Sequence, residues 1–361
     1  MTGSPAAVEP GSTMSRRQVL EALSGLLLGM FVSMLAATVV STSLPIIVHD
    51  LGGDQAAFTW VVTSTLLTTA ISTPIWGKLA DLTNRKVLIQ VALIIFVVAT
   101  AAAGFAQDTS MLIGFRAVQG IGAGGLAALS QIIMADIISP RERGRYMGLF
   151  GAVMALATVG GPLLGGVITD AFGWRWNFYV AIPFAIAAII LLQMTLHITR
   201  ERRKVSIDYL GIVLLSASVS LLLIWITSAG NSCEWMSIET LLMAGGALLG
   251  AVLFVIVELK VSEPLIPLSL FRDRTFTLSV IASIATGIAM FGASVFLSQY
   301  MQMARGATPT QAGLMTIPMI AGLLIASMLV GQLISKFGKW KGYLVVGSIL
   351  LIAGLYLLTT I

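Results

Sequence analysis

The chain has 361 residues, 57% of them hydrophobic and only 10% charged, with a mean hydropathy of +0.96. So little polar surface cannot coat a soluble globule of this size, which excludes an ordinary soluble enzyme and makes a lipid bilayer the expected solvent and partner. The net charge of +5 comes from basic residues dispersed through loops rather than gathered on one patch, so no nucleic-acid partner is expected.

Residues 1–17, rich in Gly, Ser, Pro and Ala before Arg16 and Arg17, read as a disordered cytoplasmic tail, with Met14 an alternative start. Apolar stretches then recur near residues 22–48, 58–80, 87–106, 110–134, 146–169, 178–198, 209–229, 238–257, 276–300, 311–335 and 342–360. Each holds the roughly twenty residues that cover a hydrocarbon core of about 30 Å. The sequence thus predicts an all-α membrane protein with about eleven transmembrane helices. The first stretch is too long for a cleaved signal peptide, and the loop beyond it leads straight into another span. With the amino end inside, all of the 21 Lys and Arg except Arg116, Arg175 and Arg305 fall on the cytoplasmic side. That asymmetry orients the chain with a cytoplasmic N-terminus.

In the first span, MLAATVVSTSLP places Ser33, Ala37 and Ser41 at helical spacing with Thr38 beside them. These hydroxyls either form a weakly polar cavity wall or satisfy neighbouring backbone carbonyls. The loop GKLADLTNRK closes the second span. Gly77 and Leu79 there permit close helix approach, Asp81, Arg85 and Lys86 supply charges at helix ends, and Asn84 suits a turn at positive φ. An ordinary basic loop obeying topology is the plainer reading.

The fourth span reads IGFRAVQGIGAGG, with Gln119 and Gly120 on the face of Arg116. Arg116 lies roughly 9 Å from the outer end. Inserting Arg at the bilayer centre costs about 2.5–3.5 kcal/mol, so the guanidinium is expected to face a cavity or polar partner, or else to snorkel outward. The fifth span offers small-residue surfaces at Gly148, Gly151, Ala155, Gly161, Gly165 and Gly166, and Pro162 is expected to kink it. Such a helix suits either a gating seam or plain packing.

Cys233, the single cysteine, sits in an outward loop and closes no intramolecular disulfide, while His49 and His197 fall at span ends. All sixteen acids lie in tails, loops or terminal turns. No metal-ligand cluster, phosphate loop or nucleophile constellation stands out, so neither an enzyme nor a bound cofactor or metal is expected.

Segment 331–341, GQLISKFGKWK, repeats segment 77–86, with Gly331, Leu333 and Lys339 at the places of Gly77, Leu79 and Arg85. The chain therefore reads as a duplication in one orientation. The expected plan is an N-terminal six-helix bundle (18–199), a charged cytoplasmic linker (200–208), two inserted helices (209–258) and an incomplete second bundle (259–361). A full second unit would need about 90 further residues, or three spans, so the expectation is a C-terminally truncated chain.

Taken together, GKLADLTNRK, the Arg116 segment and GGPLLGG resemble the signature segments of the major facilitator superfamily. The two inserted spans and the segments GWRWNFY (173–179), IDYLG (207–211), PLIPLSLFRDRTF (264–276) and SQYMQMARGATPTQAGL (298–314) are similar to the fourteen-span drug:proton antiporters. The resemblance implies a monomeric plasma-membrane exporter of amphipathic small molecules, driven by protons through alternating access. It gives Asp81 and Arg85, with Gly77 and Lys86, a cytoplasmic-gate role. Arg116 takes a proton-linked role, and Gly161, Pro162, Gly165 and Gly166 that of the antiporter motif; Gln119, Thr38 and Ser41 join Arg116 at the cavity. Three departures stand out: Ala36 where the family has Asp, Asn84 where the loop has Gly, and Ala181 where Asn precedes Pro183. A transport-inactive remnant of such an exporter is the alternative reading.

Overall fold

The computed structural model describes residues 16–139, 142–196, 208–230, 233–306 and 317–359. Most of the tail, most of the 200–208 linker, His197 and residues 307–314 of the SQYMQMARGATPTQAGL segment lie outside them. The helices run α1 Arg16–Asp50, α2 Gln55–Leu82, α3 Arg85–Ala103, α4 Thr109–Ile137, α5 Arg143–Phe172, a short α6 Trp176–Tyr179 leading into α7 Ala181–Thr195, α8 Tyr209–Ser228, α9 Ile238–Lys260, α10 Arg274–Met303, α11 Ile317–Phe337 and α12 Lys341–Leu358. Among the described residues the sole β feature is one isolated bridge between Ala229 and Cys233.

Nine described stretches are long and apolar enough to cross a bilayer. The other two expected spans, α5 and α10, are each 30 residues long, but their described apolar stretches, Tyr146–Thr158 and Arg274–Met290, are shorter.

Several loop acids serve as helix caps. Asp54 accepts from Ala57 N–H and Asp108 from Met111 N–H, at 2.8 and 2.7 Å. Asp273 accepts from Thr275 and Phe276 N–H at 2.6 and 3.0 Å. Each satisfies donors that a helix start leaves without an intrahelical partner.

Asn84 corrects the expected turn. Its φ is −64° with ψ 115°, and among the described residues no non-glycine has positive φ. The extended backbone lets Asn84 Oδ1 take the Lys86 N–H at 2.9 Å and cap α3. Gly338, at the matching place of the repeated segment, has φ +68°. The two similar segments therefore close their turns differently, with a side-chain cap at Asn84 and a left-handed glycine at Gly338.

α4 packs between α2 and α3, α1 between α5 and α7, and α8 against α9; α2 also touches α8, and α5 touches α11. The main core joins Leu23 and Leu26 of α1, Leu93 and Phe96 of α3, Leu129 and Ile133 of α4, and Leu192 of α7. A second cluster lies toward the other ends of these helices, around Leu44, Ile47, Leu112, Trp174 and Phe178. Small residues let α4 approach so closely: a Cβ at Gly122 would stand 2.7 Å from Ala92 O and 2.6 Å from Phe96 N of α3. Outside the cores the pattern of a soluble protein is inverted, with large apolar side chains such as Leu242, Ile288, Leu350 and Ile352 more than half exposed. A contiguous apolar exterior of this kind is stable against lipid rather than water.

Candidate functional site

Arg116 is buried at 5% exposure and Gln119 at 1%. The guanidinium Nη1 donates to Gln119 Oε1 at 2.7 Å, and Nε reaches Val61 O of α2 at 3.5 Å. Gln119 Nε2 donates to Thr100 Oγ1 of α3 at 2.8 Å, and Thr100 donates on to Phe96 O at 2.6 Å. A hydrogen-bonded chain thus crosses the interior from α2 through α4 to α3. Among the described residues no carboxylate forms an ion pair with Arg116. The arrangement keeps a cation inside the bundle on neutral partners, an expensive placement that would attract an anionic or proton-releasing group.

A ladder of α2 side chains, missed by the sequence reading, secures α4 beside it. Thr65 Oγ1 donates to Arg116 O and Thr69 Oγ1 to Gly120 O, both at 3.1 Å. Ser72 Oγ and Trp76 Nε1 both reach Ile121 O, at 3.3 and 2.9 Å. The spacing of these residues in TSTLLTTAISTPIW puts them on one helical face, which was a readable signal. Their acceptors are backbone groups on another helix, which no spacing reveals.

Thr38 Oγ1 lies within hydrogen-bonding distance of three carbonyls that share its single O–H, Ala157 O of α5 at 3.0 Å and Met34 O and Leu35 O of its own helix. Ser41 Oγ bonds Ala37 O at 2.8 Å and is exposed. Both hydroxyls are spent on backbone carbonyls. Opposite Thr38, a Cβ on Gly161 would collide with its hydroxyl, and one on Gly165 would stand 2.7 Å from Val39 O. Gly161 and Gly165 therefore seat α5 on α1. Gly166 faces open space, and the side chain of Pro162 lies outside the described residues. A second face of α5 meets α11, with Gly148 opposite Met328 and Gly151 opposite Ser327.

At the end of the bundle that carries the GKLADLTNRK loop, Arg85 pairs with Asp136 at the foot of α4. It also lies 3.9 Å from Asp81 and donates from Nε to Ala80 O at 3.3 Å. Lys86 Nζ donates to Gln193 O of α7 at 2.6 Å, and Gln90 Nε2 to Gln193 Oε1 at 2.8 Å. Lys78 Nζ donates to Glu263 O and Pro264 O, at 3.2 and 3.4 Å, between α9 and α10. The charged loop is thus tied to α4, α7 and the segment after α9. Gly77 has nothing within 4 Å of where a Cβ would sit, so it makes no close helix approach here. Ala36, at the place of the family's acid, is fully buried in the core. A further polar cluster that sequence reasoning missed joins Asn177 Nδ2 to Ser43 and Thr169 at 2.6 and 2.7 Å. It comes from three separate segments and left no local signal.

The architecture has counterparts among known proteins. The chain is 38% identical over 347 residues to the multidrug transporter protein MdtP of Bacillus subtilis, covering 96% of this chain and 63% of that protein. It is 36% identical over 299 residues to multidrug resistance protein 3 of the same organism, covering 82% of this chain and 58% of that one. The chain therefore spans about three fifths of the length of these relatives. The solved structure of the proton:xylose symporter XylE shares the fold, with a TM-score of 0.55 at 16% identity over 89% of this chain and 69% of that one. The sequence profile described as Major Facilitator Superfamily matches residues 26–361. With helices, loop charges and glycine seams disposed as above, the chain belongs to the major facilitator superfamily.

Proposed function

We propose that this chain serves in a plasma-membrane exporter of amphipathic small molecules, of the fourteen-span drug:proton antiporter type, that works by alternating access with its N-terminus in the cytoplasm. The observation that carries the reading is α5, one helix with two small-residue faces. Gly161 and Gly165 lock it to α1, and Gly148 and Gly151 lay it against α11. Small facing residues let one helix group rock on another without unpacking a core. The names of the Bacillus relatives support drugs as the cargo.

In this reading Arg85, Asp81 and Asp136 hold the cytoplasmic side closed, and Arg116 with Gln119 sets the charge that a coupled proton must meet. Proteoliposomes carrying a fluorescent cationic amphiphile and an imposed pH gradient test it. Arg116→Ala is expected to abolish gradient-driven movement while the variant remains folded in the membrane; full transport by that variant would remove Arg116 from the mechanism.

A second reading, favoured by α12 having no buried residue, is that these 361 residues alone keep the membrane fold and transport nothing. Active efflux by this chain in cells would reject it.

A further inference from the structure

Two acids that the sequence places at helix ends are buried together. Asp208, which caps α8, is 7% exposed, and Glu258, in the last turn of α9, is 3% exposed. Asp208 Oδ1 accepts the Gly211 N–H at 2.8 Å, whereas among the described residues Oδ2 has no hydrogen-bond partner. Glu258 accepts the backbone N–H of Leu265 at 3.2 Å and of Ile266 at 3.1 Å, one on each oxygen. The orphan oxygen is aimed at its neighbour: a Cβ on Gly211 would collide with Asp208 Oδ2 and stand 2.9 Å from Glu258 Oε1. Only the bare Cα of a glycine leaves room for two carboxyl groups to converge there.

Two buried carboxylates facing each other cannot both be ionised without a large cost, and the usual resolution is one shared proton. Among the described residues, the charge of Lys78 on α2 acts on Glu258, and Glu263 on the 261–267 segment lies beside Lys78. Lys78 Nζ lies 4.0 Å from the Glu263 carboxylate and donates to the carbonyls of Glu263 and Pro264, and it forms no ion pair with Asp208 or Glu258.

We propose that Asp208 and Glu258 form a proton-binding site, one proton held between the two carboxyl groups at the cytoplasmic foot of α8 and α9. The site would supply a protonatable carboxyl that the first span lacks, since Ala36 stands there. It lies where the inserted helices meet Lys78, at the start of the gate loop. The inference deepens the proposed proton coupling and rests on it only for its consequence, because proton binding is measurable without transport.

The test is infrared spectroscopy of the full chain in lipid nanodiscs, titrated across neutral pH. The wild type is expected to show a protonated-carboxyl band at neutral pH. That band should be absent from both Asp208→Asn and Glu258→Gln, because either change removes the like charge that holds the proton. Wild-type chain labelled isotopically at its aspartate and glutamate carboxyls serves should a variant fail to fold. The band must then shift with one label or both. No band in the wild type at neutral pH, a band that ignores both labels, or its survival in both variants would overturn the site. A transport-inactive chain that still shows the band would separate failure of the exporter reading from failure of this one.

Discussion

At the scale of single residues, the glycines of α5 differ in what surrounds them, and the difference is measurable. Gly165→Ala brings a Cβ to 2.7 Å from the Val39 carbonyl, a backbone atom that moves only with its helix. Overpacking of that kind costs about 1–3 kcal/mol, so the thermal unfolding midpoint of the purified chain is expected to fall. Gly166→Ala meets nothing within 4 Å and gains helix propensity of up to about 1 kcal/mol, so it should be neutral or stabilising. Equal effects at the two sites would contradict the seating of α5 on α1. Cys233 offers a second readout. Its hydrogen bond to Glu239 at 3.3 Å, with smaller contributions from desolvation and the Glu239 charge, pushes the thiol above its ordinary value. Because the thiolate is the reactive form, maleimide labelling at neutral pH is expected to be slow, and Glu239→Gln should speed it severalfold. An unchanged rate would remove the contact.

At the scale of helices, α10 depends on its cap. Backbone N–H groups of Phe276 and Thr275 hold the Asp273 carboxyl below its usual value. A lowered folded value means that the cap contributes fully above the ordinary aspartate range and is lost as pH falls through the lowered one. Amide exchange at Thr275 and Phe276, corrected for intrinsic rates, should therefore show protection at neutral pH that disappears in acid. Asp273→Ala should lack it at every pH, and protection indifferent to both pH and substitution would contradict the cap.

Elements were the part most legible in the sequence, because span length is a local property of the chain. The glycine row of α5 was legible too as a small-residue surface, although not which partner each glycine meets. Asp136 was hidden among acids at helix ends, and its partner Arg85 is distant in sequence. The α2 hydroxyl ladder was hidden because its acceptors are backbone carbonyls. Burial of Asp208 and Glu258 was hidden because it arises where α8, α9 and the 261–267 segment fold together. Asn84 misled because a residue tolerant of positive φ is also a good N-cap, and here the capping role prevails.

At the scale of the whole molecule, the proposed export depends on lipid surrounding these helices in the orientation expected from the basic loops. In that proposed orientation the turns at Asn84 and Gly338 and the charges around Arg85 fall on the cytoplasmic side, as the proposed gate needs, with the hydrogen-bonded chain of Arg116 deeper in the helices. The most direct measurement is accessibility of introduced thiols to a membrane-impermeant maleimide in intact cells, with Cys233 replaced by serine. Met236→Cys, at a position 85% exposed between α8 and α9, is expected to label from outside. Thr83→Cys, in the turn between α2 and α3, should label only after the cells are permeabilised. Labelling of both from the same side of the intact membrane would contradict the proposed topology, and with it the proposed transport pathway.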